Sequence, residues 1–268
     1  GGREKGRNRV VNTLGNQYYS AFFSLSGKDR LSIIEMLSLD KFGFLINEEA
    51  FSLMTRMRLP KKYIVELRKH ASVKFITRNN IDVILAELFT DKFKYKKHRK
   101  AILEATAISA YRQGPYAIKQ LIVDDAPQFK LITEGLGLCW IHEGRHYKKM
   151  KPIFKKNANF LETFIEEFWN YYHILVSFKD NPTNDESEAL KKEFTRLFSQ
   201  KTGYQKLDNQ IALTLNKIDS LLLVLKYPQI PLHNNPAELM ARYQARGRDV
   251  HLHTMSAQGR PTTSATWC

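Results

Sequence analysis

Apolar residues in the second half of the chain recur at spacings of three and four. Leu161, Phe164, Phe168, Tyr172 and Leu175 form one such series, and Leu207, Ile211, Leu215, Ile218, Leu222 and Leu225 form another. That period puts each series on one face of a helix, so a long helical block has to bury two stripes against the rest of the molecule. Between them "KDNPTNDESEAL" reads as a turn with an acidic helix start, and Gly203 suits a helix end. Five aromatics crowd "FIEEFWNYYHIL" at 164–175. They suit base stacking, but their helical spacing favours core packing.

The chain before this block has a different texture. "NRVVNTLGNQYYSAFFSLS" carries two β-rich runs around Gly15-Asn16, a two-residue turn that tolerates positive φ, which predicts a hairpin. "DRLSIIEMLSL" places apolar residues at 31, 33, 34 and 37, a short helix, and "FGFLIN" reads as a further strand. A helix-rich stretch follows to Gly114, with the basic run "KFKYKKHRK" at 92–100 as a solvated face or a phosphate contact. In "AIKQLIVDDAPQF", Leu121, Ile122 and Val123 predict a buried strand that stops at two Asp and a Pro. The expected fold class is α/β, a mixed sheet with too few strands to be complete, carrying helical insertions. The boundaries fall at 1–39 (hairpin and helix), 40–115 (extra strand and helices) and 116–156 (strand and helix). They continue with 157–227 (helical block), 228–255 (last helix) and 256–268 (irregular tail).

Charge narrows the partners. Lys and Arg number 42 against 27 acids, a formal charge of +15. Polyanions are the default expectation for such an excess, with an anionic membrane surface as the other candidate. The longest apolar run, "LLLVL" at 221–225, falls far short of the roughly 20 residues that span a bilayer, so no membrane span is expected. Two cysteines, Cys139 and Cys268, exclude a disulfide framework and suit a reducing cytoplasm. The opening "GGREKGRNR" has no signal peptide and no Met, which predicts a piece whose start lies upstream.

Three groups of residues have the chemistry of a site. Glu238, in "PLHNNPAEL", sits three residues after Asn235 with Pro236 between, close to a capping box at a helix start. Locally that structural reading is the stronger one. Asp124 and Asp125 stand at the rim of a strand, where two adjacent ionised groups suit either a turn or a cation. Hard acids brought together there would make a Mg²⁺ site that keeps waters for a phosphate substrate. The third group is "CWIHEGRHYKKMKPIFKK". Cys139, His142 and His146 superficially resemble a zinc half-site but fall short of a structural tetrahedral set. The favoured reading is a helix with Cys139 and Trp140 inward and His142 and Arg145 toward the acids. From 145 to 156 the run holds five Lys, one Arg and no acid, a phosphate-backbone footprint.

"IVDDAPQF", "LCWIHEGRHYKK" and "IPLHNNPAELMAR", in this order, resemble the DDE transposases of bacterial insertion sequences, of the IS sixty-six type. The resemblance covers most of residues 1–250 and implies a ribonuclease H-like core with a large all-helical insertion ahead of the catalytic helix. It makes Asp124 and Glu238 catalytic and metal-binding, matches Cys139 and His142 to the family's Cys-x-x-His pair, and implies two Mg²⁺ ions, with Mn²⁺ as a substitute. Asp125, Cys139, His142, Asn234 and Asn235 become supporting residues. Arg145, Lys148, Lys149, Lys151, Arg242, Arg246 and Arg248 are the expected DNA contacts. His233 stands where the family has Asp, the tail after Gly259 departs from the family's closing helix, and the triad's first Asp is expected upstream of Gly1, Asp29 and Asp40 being poor substitutes. The implied function is DNA cleavage and strand transfer on insertion-sequence ends and target DNA. A homo-oligomer on paired ends in the bacterial cytoplasm, at the nucleoid, is the expected setting. A non-catalytic DNA-binding protein and a hydrolytic nuclease on the same core are the alternatives.

Overall fold

The computed structural model describes residues 2–3, 10–15, 20–25, 27–235 and 239. The chain divides into two compact units. One comprises residues 1–119, 128–133 and 235–268, and the other residues 120–127 and 134–234.

The first unit begins with strands β1 (Gly2–Arg3), β2 (Val10–Gly15) and β3 (Ser20–Leu25), antiparallel in that order. The hairpin is present, but pairing runs on to Gly15↔Ser20, so the connection is residues 16–19 and not the two-residue Gly15-Asn16 turn. Helices α1 (Arg30–Ser38), α2 (Glu48–Arg56), α3 (Lys61–Arg68), α4 (Arg78–Leu88) and α5 (Lys96–Gln113) follow. Asp29, Asn47 and Thr77 cap α1, α2 and α4, each accepting from a backbone N–H three residues on. The expected strand "FGFLIN" is a single antiparallel bridge, Phe44↔Ile76, because α2 starts at Glu48 and leaves no length for a ladder. Every residue from Ile102 to Tyr111 is buried, and α5 packs against α1 and α2 in one core that also holds Leu67 of α3 and Leu85 of α4. Its buried Glu104 is paired with Arg30. At its other end Arg112 pairs with Glu49 and donates to the carbonyls of Leu131, Ile132 and Thr133.

The second unit is built on two parallel strands, β4 (Gln120–Val123) and β5 (Gly135–Leu138), in register Gln120↔Gly135 to Val123↔Leu138. Only Val123 of β4 is buried, so this strand is less enclosed than its sequence suggests. Helices α6 (Trp140–Lys148), α7 (Lys155–Phe178), α8 (Asn184–Leu197) and α9 (Gln205–Leu215) follow, then two short turns, α10 (Ile218–Leu221) and α11 (Leu223–Lys226). Helix α7 buries Leu161, Phe164, Phe168, Tyr171, Leu175 and Phe178, the face its period predicts with Tyr171 in place of Tyr172. Trp140 is fully buried among Phe168, Tyr171 and Phe194 and donates from Nε1 to the Leu221 carbonyl at 2.9 Å. The aromatics of 164–175 thus serve mainly as core. The second predicted stripe departs from one continuous helix. It breaks after Leu215, and Leu221, Leu222 and Val224 are buried there while Leu215, Ile218 and Leu225 are half-buried.

The protein is therefore a mixed α/β structure, mostly helical. Among the described residues its strands form a three-stranded antiparallel sheet and a two-stranded parallel sheet, not the single mixed sheet expected from the sequence. No helix among the described residues is long and apolar enough to cross a membrane.

Candidate active site

Parallel register brings the C-terminal ends of β4 and β5 side by side. The residues that follow them, Asp124 and Cys139, emerge together, tied by a 2.9 Å bond from the Cys139 N–H to the Val123 carbonyl. The turn into α6 is fixed next, as the Trp140 N–H donates to the Leu232 carbonyl at 2.9 Å. Ligand sites of α/β folds gather at such strand ends because the rigid sheet stops there and solvent begins.

A cavity of about 230 Å³ opens at this edge, bounded by Asp124, Asp125, Cys139, His142, Glu143 and His146. The tandem acids are treated differently. Asp124 Oδ1 is buried and accepts no hydrogen bond among the described residues. Asp125, its side chain 34% exposed, places Oδ2 2.9 Å from Lys217 Nζ. Asn234 Oδ1 is likewise buried without a donor among the described residues. Cys139 is buried, and His142 is half-buried with Nε2 3.0 Å from Arg145 Nη1. A guanidinium only donates, so that ring nitrogen is the accepting side of this contact.

Lys217 and Glu143 are the residues that sequence reading missed. Glu143 is 3% exposed and accepts from Thr214 Oγ1 at 2.6 Å and from Lys217 Nζ at 2.9 Å. Lys217 therefore bridges Asp125 and Glu143, tying the tip of β4 to α6 through the junction of α9 and α10. Burial alone would lower the Lys217 pKa, but its bonds to the two carboxylates outweigh that and hold it above its ordinary value. Tyr147 completes the cluster through a 2.5 Å contact between its hydroxyl and Thr214 Oγ1. Burial pushes its phenol well up, against the Thr214 bond and aided by the Glu143 charge. One signal was available for this pair, because Glu143 follows the buried Cys139 by one helical turn and so belongs to an inward face.

Among the described residues no three His, Cys, Asp or Glu side chains converge closely enough to hold a metal ion. The open oxygen of Asp124 fits a cation but does not make a full ligand set. Glu238, Arg242, Arg246 and Arg248 lie outside the described residues, and Asn235, already helical, sits one step inside the position expected of the cap. Of the expected DNA contacts, Lys148, Lys149 and Lys151 are exposed, whereas Arg145 is half-buried against His142.

Residues 92–261 match the family described as "Transposase IS66 family". A protein of Sinorhizobium fredii (strain NBRC 101917 / NGR234), described as "Uncharacterized protein y4jO", is 29% identical over 248 residues, which cover 92% of this chain and 76% of that protein. No solved structure matches the chain.

Proposed function

The chain belongs to the IS66 transposase family, and we propose that it carries the catalytic domain of a DDE-type transposase, which cuts DNA and joins the freed end to a target. The observation behind this reading is the Asp124 carboxylate, with one oxygen buried beside a cavity and no donor among the described residues to satisfy it. Such an oxygen costs several kcal/mol to keep ionised away from water, and a bound cation offsets that cost. Its neighbour Asp125 already has an ammonium partner, so the two acids divide the work.

In this reading Asp124 and Glu238 hold divalent ions, two Mg²⁺ with Mn²⁺ able to substitute, and the strands belong to a ribonuclease H-like core. Bound there, the ions would supply Lewis-acid stabilisation of the phosphoryl oxygens and lower the pKa of an attacking water. Asp124 sits on a rigid strand tip, so its carboxylate needs little reorganisation before reaction. Lys217 pins Asp125, and His142, Cys139, Asn234 and Asn235 orient the groups around the ligands. Lys148, Lys149 and Lys151, with Arg242, Arg246 and Arg248, take the phosphate backbone of insertion-sequence ends and target DNA. Assembly on paired ends in the bacterial cytoplasm, at the nucleoid, belongs to the same proposal.

The test uses the protein in its full natural length. Plasmid nicking and joining of pre-cleaved 3′-hydroxyl ends are followed with Mn²⁺. Asp124→Asn and Glu238→Gln should each abolish both reactions while leaving DNA binding intact. Cutting without joining makes the protein a hydrolytic nuclease instead. Nicking that survives both substitutions removes the acids from the chemistry.

A further inference from the structure

The turn between α6 and α7 displays apolar side chains where a folded protein normally hides them. Ile153 is 92% exposed and Phe154 70% exposed. The turn is built and anchored at both ends: the Met150 N–H donates to the Tyr147 carbonyl at 3.0 Å, and the Phe154 carbonyl accepts from Ala158 at 3.1 Å. Pro152 fixes the backbone just ahead of the pair. Around it Lys148, Lys149, Lys151, Lys155 and Lys156 are all exposed, and none is paired with a carboxylate among the described residues. Lys148 and Lys156 lay their ammonium groups over the rings of Trp169 and Phe160, at 5.1 and 5.6 Å, which leaves Ile153 and Phe154 standing clear between them in sequence.

We infer that Ile153 and Phe154 form a wedge that stacks on unpaired or unstacked bases of DNA held by the surrounding lysines. The ligand must be anionic, to answer five ammonium groups that meet no carboxylate among the described residues, and must also offer a flat apolar face. DNA with a disrupted base step has both, whereas an intact duplex presents phosphates and keeps its base faces covered. The inference rests on the DNA-processing reading above and extends it, because lysines alone recognise a backbone whatever its pairing.

The full chain is titrated, by fluorescence anisotropy, against a paired duplex and against the same duplex with a central mismatched step bearing 2-aminopurine. The chain should bind the disrupted duplex on the order of fivefold more tightly, the low end for one base–aromatic stack, and should change the 2-aminopurine emission. Phe154→Ala and Ile153→Ala are surface changes that leave the fold alone. Each should reduce the preference, Phe154→Ala to near one, with affinity for the paired duplex and its salt dependence unchanged. Lys151→Gln with Lys155→Gln should weaken both duplexes equally and flatten the salt dependence. A preference that survives Phe154→Ala, or binding with no preference at all, overturns the wedge and leaves DNA binding standing. Binding to phosphatidylserine vesicles that Phe154→Ala abolishes, without any DNA binding, assigns the turn to a membrane surface and overturns both readings.

Discussion

Lys217 holds two carboxylates at once, and the more buried of them, Glu143, has little else of opposite charge to turn to. Replacing Lys217 by Ala leaves a buried ion uncompensated, which costs roughly 3 kcal/mol. The urea midpoint of Lys217→Ala should fall accordingly, and Lys217→Met combined with Glu143→Gln should recover part of the loss. The Lys217 pKa lies above its unfolded value of 10.5, so this stabilisation is complete at neutral pH and disappears only as pH rises above that value. Asp208 titrates in the opposite sense. Burial raises its pKa, but bonds from the Thr202 N–H and hydroxyl and from the Gly203 N–H outweigh it and hold it below 3.8. Asp208→Asn should cost about 1–2 kcal/mol at pH 7. That gap should close as pH falls below 3.8, where the wild-type carboxylate takes up its proton; urea melts from pH 7 to pH 3 check it. The end of β4 just before Asp124 was legible in the sequence because an apolar run stops there at two acids and a Pro. Glu143 and Lys217 were not, since their bond spans 74 positions and only the fold brings them together.

At the scale of elements, close packing of α6 on α7 depends on a residue without a side chain. A Cβ on Gly144 would lie 2.6 Å from Trp169 Cζ2 and 3.1 Å from the Phe168 ring. Gly144→Ala should therefore destabilise the second unit by about 1–3 kcal/mol, measured by thermal melting, and Trp169→Leu in the same chain should restore part of it. Helix α7 was readable because one amphipathic stripe runs its whole length. The run 207–225 misled because an apolar period persists through breaks at which the same residues stay apolar. It reports a face and not continuity. Register was also out of reach: Gly15-Asn16 looks like a turn, yet Gly15 pairs with Ser20, since ladder pairing of the flanking strands outweighs the local preference.

For the whole molecule, the excess of +15 and the acids have to be read together. In the proposed function a basic surface draws in DNA, and the open carboxylate at the strand tip is the proposed place for a divalent ion. Changing Lys148, Lys149 and Lys151 to Gln should weaken DNA binding with little regard to sequence. The slope of log affinity against log salt should become shallower by about 0.9 for each phosphate that is no longer neutralised. Equal slopes for parent and variant would remove these lysines from the interface. The α/β class and the helical block were visible from pattern alone. The division into two sheets was not, because strand pairing is decided by partners far away in sequence.

The central claim is that Asp124 and Glu238 share bound metal, and iron-directed cleavage of the polypeptide tests it without requiring activity. Fe²⁺ in place of Mg²⁺, with ascorbate and peroxide, generates hydroxyl radicals that cut the backbone beside the ion. The account predicts two cuts, one near Asp124 and one near Glu238, competed by Mg²⁺ and both absent in Asp124→Asn and in Glu238→Gln. A cut near Asp124 alone, unchanged by Glu238→Gln, would contradict it.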